Sequence, residues 1–209
     1  TRELHPDRVA VATAAAIGEV MRALGLGEVV APNNESFPVG AMVNGLTGWQ
    51  DYIVISDSNP LMLVPPEVTA PPSAILGTLG MTGLTAYFGM LEIGEPKEGE
   101  TVVVSAAAGA VGSVAGQLAK MKGARVVGIA GGPEKCSWLV DELGFDATVD
   151  YKADDWRRQL KEVTPDGIDV DFENVGGEIM EAVFARMNKD GRVALCGLIS
   201  GYNEDEPPP

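Results

Sequence analysis

An α/β fold built on a doubly wound parallel sheet, with part of a small β-barrel ahead of it, is what the 209 residues predict. Three observations carry the prediction. From Gly99 onward, apolar β-branched runs alternate with amphipathic stretches, the rhythm of a parallel sheet with helices on both faces. Within that region Thr101-Val102-Val103-Val104 passes through small residues into Ala107-x-Gly109-x-x-Gly112, a strand, a tight turn and the start of a helix. Ahead of it, from Ile17 to Ser56, short β segments are separated by glycine and proline.

In order along the chain, Val9 to Ala16 reads as either a helix or a strand leading into a turn. Gly27 to Val30, Ala41 to Val43 and Tyr52 to Ile55 read as strands, with turns at Pro32-Asn33-Asn34 and Phe37-Pro38-Val39-Gly40. Leu61 to Pro66 is a short extended piece. Pro72 to Leu91 reads as one or two helices in which Gly77, Gly80 and Gly83 recur every third residue, either for close backbone approach or for helix packing. Strands follow at Arg125–Ile129, Ala147–Tyr151, Ile168–Val175 and Arg192–Ile199. The intervening helices are expected at Pro133–Gly144, about Asp154–Val163 and Glu178–Met187, the first opened by proline. Glu204 to Pro209 is acidic and proline-rich, without core residues.

Composition narrows the function classes. A hydrophobic content of 45% is ample for a core, no apolar run is long enough to span a membrane, and Thr1 opens no secretory signal pattern. A formal charge of −15 argues against nucleic acid or an anionic membrane as partner and for an acidic cytoplasmic protein. Two cysteines, Cys136 and Cys196, make no disulfide framework, and with a single histidine, His5, they form no recognisable zinc site.

The turn carries the chemistry. Backbone N–H groups at a helix start favour a pyrophosphate; a side chain at Gly109 would keep the backbone from the phosphates, and one at Gly112 would hinder packing of helix on strand. This is a dinucleotide fingerprint of Rossmann type with alanine in the first glycine position. The next strand ends Ile129-Ala130-Gly131-Gly132 with no carboxylate for a ribose 2′-hydroxyl, and Lys135 follows. Lys135 suits a 2′-phosphate and favours NADPH over NADH; Glu134 counts against it, and the alternative for Lys135 is a solvated residue in a helix's first turn.

Several stretches together resemble one family: Gly48 to Tyr52, Gly80 to Phe88, Ala106 to Ser113, Glu173 to Glu178 and Cys196 to Asn203. They are similar to the zinc-independent medium-chain dehydrogenases/reductases, in the branch of leukotriene B4 12-hydroxydehydrogenase/prostaglandin reductase and the plant alkenal double-bond reductases. The resemblance runs from about Ile17 to Asn203. It implies NADPH-dependent reduction of the carbon–carbon double bond of α,β-unsaturated aldehydes and ketones, by hydride transfer to the β-carbon, in a homodimer. By motif position it implies that Gly109, Ala110, Val111 and Gly112 cradle the pyrophosphate and that Lys135 and Tyr151 contact the 2′-phosphate. Asn174 with Cys196, Gly197, Leu198, Ile199, Ser200 and Tyr202 would line the ribose and nicotinamide, and Thr82 and Gly83 the phosphate and nicotinamide-ribose end.

Tyr202 is the candidate catalytic residue, a neutral phenol able to donate to the developing enolate oxygen; the alternative is a loop aromatic stacked on nicotinamide or substrate. Trp49 and Tyr52 are expected to pack rather than to contact substrate, Tyr151 to end a strand rather than act chemically, and Cys196 to be buried at a strand end with no base beside it. Residues 1–70 are expected to be a partial barrel-type domain, 71–203 the NADP-binding domain and 204–209 the start of a further loop. The alanine-rich stretch at the start and the stop at Pro209 depart from the family pattern, and a chain lacking both ends of the barrel domain is expected. Other readings are a quinone oxidoreductase of the same superfamily and a non-catalytic nucleotide-binding module or enoyl-reductase piece of a larger synthase.

Overall fold

The computed structural model describes residues 15–32 and 34–203. The reading of Val9 to Ala14, His5, the centre of the Pro32-Asn33-Asn34 turn and the tail from Glu204 lie outside the described residues. The chain divides into two units, one ending at Leu76 and the other starting at Gly77.

The first unit holds an antiparallel sheet of β1 (Leu24–Glu28), β2 (Met42–Leu46) and β3 (Met62–Leu63) in that order, followed by a short helix α1 (Pro72–Leu76). Leu24 pairs with Leu46 and Glu28 with Met42. Its core is small, Val29, Val43 and Leu61 with Phe37, Ala41, Ile53 and Ile55 packed around them. Two expectations shift here. The first strand lies three residues earlier than Gly27–Val30, although Val29 still donates its N–H to the Ala41 carbonyl. Tyr52 to Ile55 is not a strand: Ile53 and Ile55 pack on the core, but the stretch has no ladder partner among the described residues, only a bridge from Ser56 to Asn59.

The second unit is a five-stranded parallel sheet ordered β6-β5-β4-β7-β8, from β4 (Thr101–Val104), β5 (Arg125–Ala130), β6 (Ala147–Asp150), β7 (Ile168–Glu173) and β8 (Met187–Leu195). Its helices are α2 (Met81–Tyr87), continued by a π-helical stretch Phe88–Gly94, then α3 (Ala110–Met121), α4 (Pro133–Asp141), α5 (Trp156–Val163) and α6 (Gly177–Phe184). Alternation in β4 sends Val102 and Val104 to the face with α3, and Val103 to the face with α5 and α6. Every residue of β4 is buried, which explains a continuous β-branched run in place of an alternating one. α4 opens with proline as expected.

β8 begins five residues before the expected Arg192 and stops at Leu195 instead of Ile199. Met187 pairs with Ile168, the register then slips at a bulge, and pairing resumes at Arg192 with Val170. Asp190, at φ 64°, takes the left-handed conformation inside this bulge. Asn188 to Gly191 has turn-forming composition, and a bulge uses those same residues without ending the strand.

Candidate functional site

β4 runs into α3 on one face of the sheet, whereas its neighbour β7 runs into α6 on the other. The strand order therefore reverses between them, and the ends of β4 and β7 flank the crevice where a doubly wound sheet receives ligands.

The β4–α3 turn is a backbone device. Ala106 sits at φ 47°, and its carbonyl accepts the Gly109 N–H at 2.9 Å. A methyl group at Gly112 would lie 2.5 Å from that carbonyl oxygen and 2.9 Å from the Ala107 Cα, so α3 can seat on the strand only with glycine there. At Gly109 the nearest such contact is a single one at 3.1 Å. The first N–H bonded back to the turn is that of Ser113, to the Gly109 carbonyl. The N–H groups of Ala110, Val111 and Gly112 have no partner among the described residues, and no side chain caps the helix. Three unpartnered donors thus stand at the positive end of a twelve-residue helix.

The β7–α6 turn is held by side chains. The Ser105 hydroxyl donates to Glu173 Oε1 at 2.7 Å and accepts the Asn174 N–H at 2.7 Å. Asn174 Nδ2 donates to the Ser105 carbonyl, also at 2.7 Å. Glu173 Oε1 further accepts the N–H groups of Val175 and, at 2.9 Å, Gly176. Beyond β8 the chain folds over this turn: Ile199 N–H donates to the Asn174 carbonyl, and Ser200 donates through both N–H and hydroxyl to the Val175 carbonyl. Asn174 and the Cys196–Tyr202 segment, expected together, are brought together. Tyr202 is 64% exposed, with its hydroxyl 3.4 Å from the Leu198 N–H and against Gly197. Cys196 corrects an expectation: it is exposed, one residue past the end of β8, because the strand stops at Leu195. Partial desolvation pushes its thiol up and no neighbouring group lowers it.

The β5 tip forms a third cluster. The Tyr151 ring and the Lys152 chain lie against the backbone of Gly131. Asp150, at the end of β6, accepts the N–H groups of Gly132 at 2.8 Å and Lys152 at 3.0 Å, and those bonds hold its carboxyl below the usual range. Lys135 is exposed in the first turn of α4. Tyr151 follows the last residue of β6 and is 43% exposed. In α2, Thr82 Oγ1 donates to the Gly77 carbonyl at 2.9 Å, and a methyl at Gly83 would lie 1.7 Å from the Thr78 carbonyl oxygen. Gly83 is thus required by the turn that precedes α2. Trp49 and Tyr52 of the first unit do not pack as expected; they are 76% and 79% exposed among the described residues.

Two comparisons of sequence agree with this geometry. Residues 110–208 match the family described as zinc-binding dehydrogenase, and residues 1–64 match the N-terminal domain of oxidoreductase. The NADPH-dependent curcumin reductase of Escherichia coli is 48% identical over 193 residues, covering 92% of this chain and 55% of that protein. Prostaglandin reductase 1 of Sus scrofa is 48% identical over 195 residues, covering 92% of this chain and 59% of its own length. The chain belongs to the medium-chain dehydrogenase/reductase family, in the prostaglandin and curcumin reductase branch. Among solved structures, CurA of Vibrio vulnificus in complex with NADPH superposes with a TM-score of 0.88 at 49% identity, covering 97% of this chain and 60% of that one. The chain thus spans little more than half the length of these relatives.

For this family member three site residues escaped the sequence reading: Ser105, Glu173 and Lys152. Lys152 had a signal, a cation beside the tyrosine that ends a strand next to the glycine-rich tip. Glu173 opens one of the family stretches, but its partnership with Ser105 left no signal, since it spans 68 positions. Among the described residues no group of three or more histidine, cysteine or acidic side chains is arranged to hold a metal ion, and no helix is long and apolar enough to cross a membrane.

Proposed function

We propose that this chain carries the nucleotide-binding part, and a portion of the substrate domain, of an NADPH-dependent reductase of α,β-unsaturated aldehydes and ketones. The observation that carries the reading is the β4–α3 turn, where three unpartnered N–H groups stand at an uncapped helix start. A pyrophosphate is the anion that such a turn fits. Ala110, Val111 and Gly112 hold it through backbone donors, and Gly109, whose own N–H is engaged by the Ala106 carbonyl, lets the backbone approach the phosphates. Lys135 and Tyr151, joined by Lys152, take the 2′-phosphate beside the Gly131-Gly132 tip. Asn174 and the segment from Cys196 through Gly197, Leu198, Ile199 and Ser200 to Tyr202 line the ribose and nicotinamide, with Thr82 and Gly83 at the same end. Residues 1–70 supply part of the substrate domain and 71–203 the cofactor domain, and the whole protein is a cytoplasmic homodimer.

NADPH, when bound, supplies the hydride that reduces the double bond at its β-carbon. The residues here orient and stabilise. Orientation in the crevice converts a bimolecular encounter into a positioned one. The Tyr202 phenol accepts the Leu198 N–H and so keeps its own proton to donate to an enolate oxygen.

The test is NADPH consumption with 2-alkenals, enones and quinones, with NADH run in parallel. The expected result is saturated aldehyde or ketone from the first two, selective for NADPH. Turnover of quinones alone would transfer the chain to quinone reduction. Absence of binding to either nucleotide would overturn the reading.

A further inference from the structure

Ser105 and Glu173 are fully buried, and the reading above gives neither a task. We propose that Glu173, acting through Ser105, is a positioning residue that fixes the amide of Asn174 and the Val175–Gly177 turn for the nicotinamide half of the cofactor; the proposal rests on the NADPH reading.

The hydrogen-bond inventory forces the orientation. The Ser105 carbonyl only accepts, so the Asn174 side-chain atom 2.7 Å from it is the amide nitrogen. Asn174 Oδ1 is thereby left as an acceptor with no partner among the described residues, the group that a ribose hydroxyl or a carboxamide N–H requires. The Ser105 hydroxyl has one hydrogen, and Glu173 Oε1 takes it at 2.7 Å. Its lone pairs are then turned to the Asn174 N–H, which donates at 2.7 Å. Without the carboxylate the hydroxyl can rotate, and the backbone and side chain of Asn174 lose a common anchor.

The same oxygen organises the turn. Val175 and Gly176 both donate to Glu173 Oε1, ahead of Gly176 and Gly177 at φ 78° and 56°. The turn in turn holds Ser200 through the Val175 carbonyl. Glu173 Oε2, by contrast, is buried with no partner. A buried acid with one orphaned oxygen is a poor choice for stability alone. Three donors converging on the other oxygen is a choice of geometry.

The experiment measures calorimetric affinity of the 209-residue chain for NADPH and for adenosine 2′,5′-bisphosphate, which carries only the adenosine half. Ser105→Ala and Glu173→Leu are expected to weaken NADPH by about tenfold or more, the scale of one or two lost hydrogen bonds, and to leave the bisphosphate within about twofold. Glu173→Gln keeps one carbonyl oxygen for the same three donors and is expected to stay within about threefold of the parent for both probes. A general loss of structure would weaken both probes together. That result, or unchanged NADPH affinity in Ser105→Ala, overturns the proposal. Should Glu173→Leu fail to fold, Ser105→Ala decides, since it removes one oxygen only. If the unsubstituted chain binds the bisphosphate and not NADPH, the positioning proposal falls and the adenosine-end reading stands; if it binds neither, the NADPH reading falls and takes the proposal with it.

Discussion

The two turns that flank the crevice solve one geometric problem by opposite means. The β4–α3 turn uses alanine and glycine, spends no side chain, and leaves its N–H groups open. The β7–α6 turn spends a serine, a glutamate and an asparagine to tie down the N–H groups of Asn174, Val175 and Gly176, ahead of a helix start that no side chain caps. A turn built by subtraction presents donors and suits an anion. A turn built by tying down adds what the tied side chains leave over, here the amide oxygen of Asn174. The difference also decides how easily each is read: small residues at fixed spacing are local, whereas the Ser105–Glu173 pair exists only once β4 and β7 are neighbours.

The sharpest way to break the contrast is Gly112→Val. Its methyl groups would press on the Ala106 carbonyl and Ala107 Cα, and a loss of about 3 kcal/mol in denaturant unfolding is expected. Gly109→Ala, with one contact at 3.1 Å, should cost less than about 1 kcal/mol yet weaken NADPH binding. Equal effects of the two would mean that the turn has no division between packing and binding.

Beneath the second turn, on the same face of β7 as Glu173, Asp171 is fully buried with both oxygens unpartnered. Burial, and then the negative charge of Glu173, push its carboxyl up to about 8. The folded chain therefore keeps a proton that the unfolded chain releases near pH 4. Stability should fall as pH rises from about 4 to 8, by on the order of 3 kcal/mol between pH 5 and 8 from this group. Asp171→Asn should flatten that slope in urea unfolding at the two pH values; an unchanged slope would show that Asp171 ionises freely.

Smaller effects separate the two ends of the crevice. Tyr202→Phe is expected to lower turnover by about a hundredfold with NADPH affinity unchanged, the scale of a lost proton donor. Equal turnover would leave Tyr202 as a stacking residue. Lys135→Ala should weaken NADPH by about tenfold and NADH not at all, as for loss of one charge-assisted contact. Parallel weakening would return Lys135 to an ordinary solvated residue.

How much was legible follows from where each signal lives. β4 to β7 fell close to their expected ranges: β6 and β7 alternate apolar with polar residues, and β4 and β5, buried on both faces, are runs of apolar, largely β-branched residues. Tyr52 to Ile55 carried that composition too, and failed as a strand because pairing needs a neighbour that the described residues do not offer. The expected start of β8 was late because Asp190-Gly191 has turn composition, and a bulge needs the same conformations as a turn. Trp49 was expected to pack, and its residue type does not say what lies opposite it in the fold.

By itself the sequence determined the alternation of strand and helix, the glycine turn and the family, because each depends on residues within a few positions of one another or on their order along the chain. Only the tertiary structure decided that Gly83 serves the Thr78 carbonyl, that Cys196 lies outside its strand, and that Ser105, Glu173 and Asn174 form one unit. Hydrogen bonds reach about 3 Å whatever the separation along the chain, so which groups share one is a property of the fold.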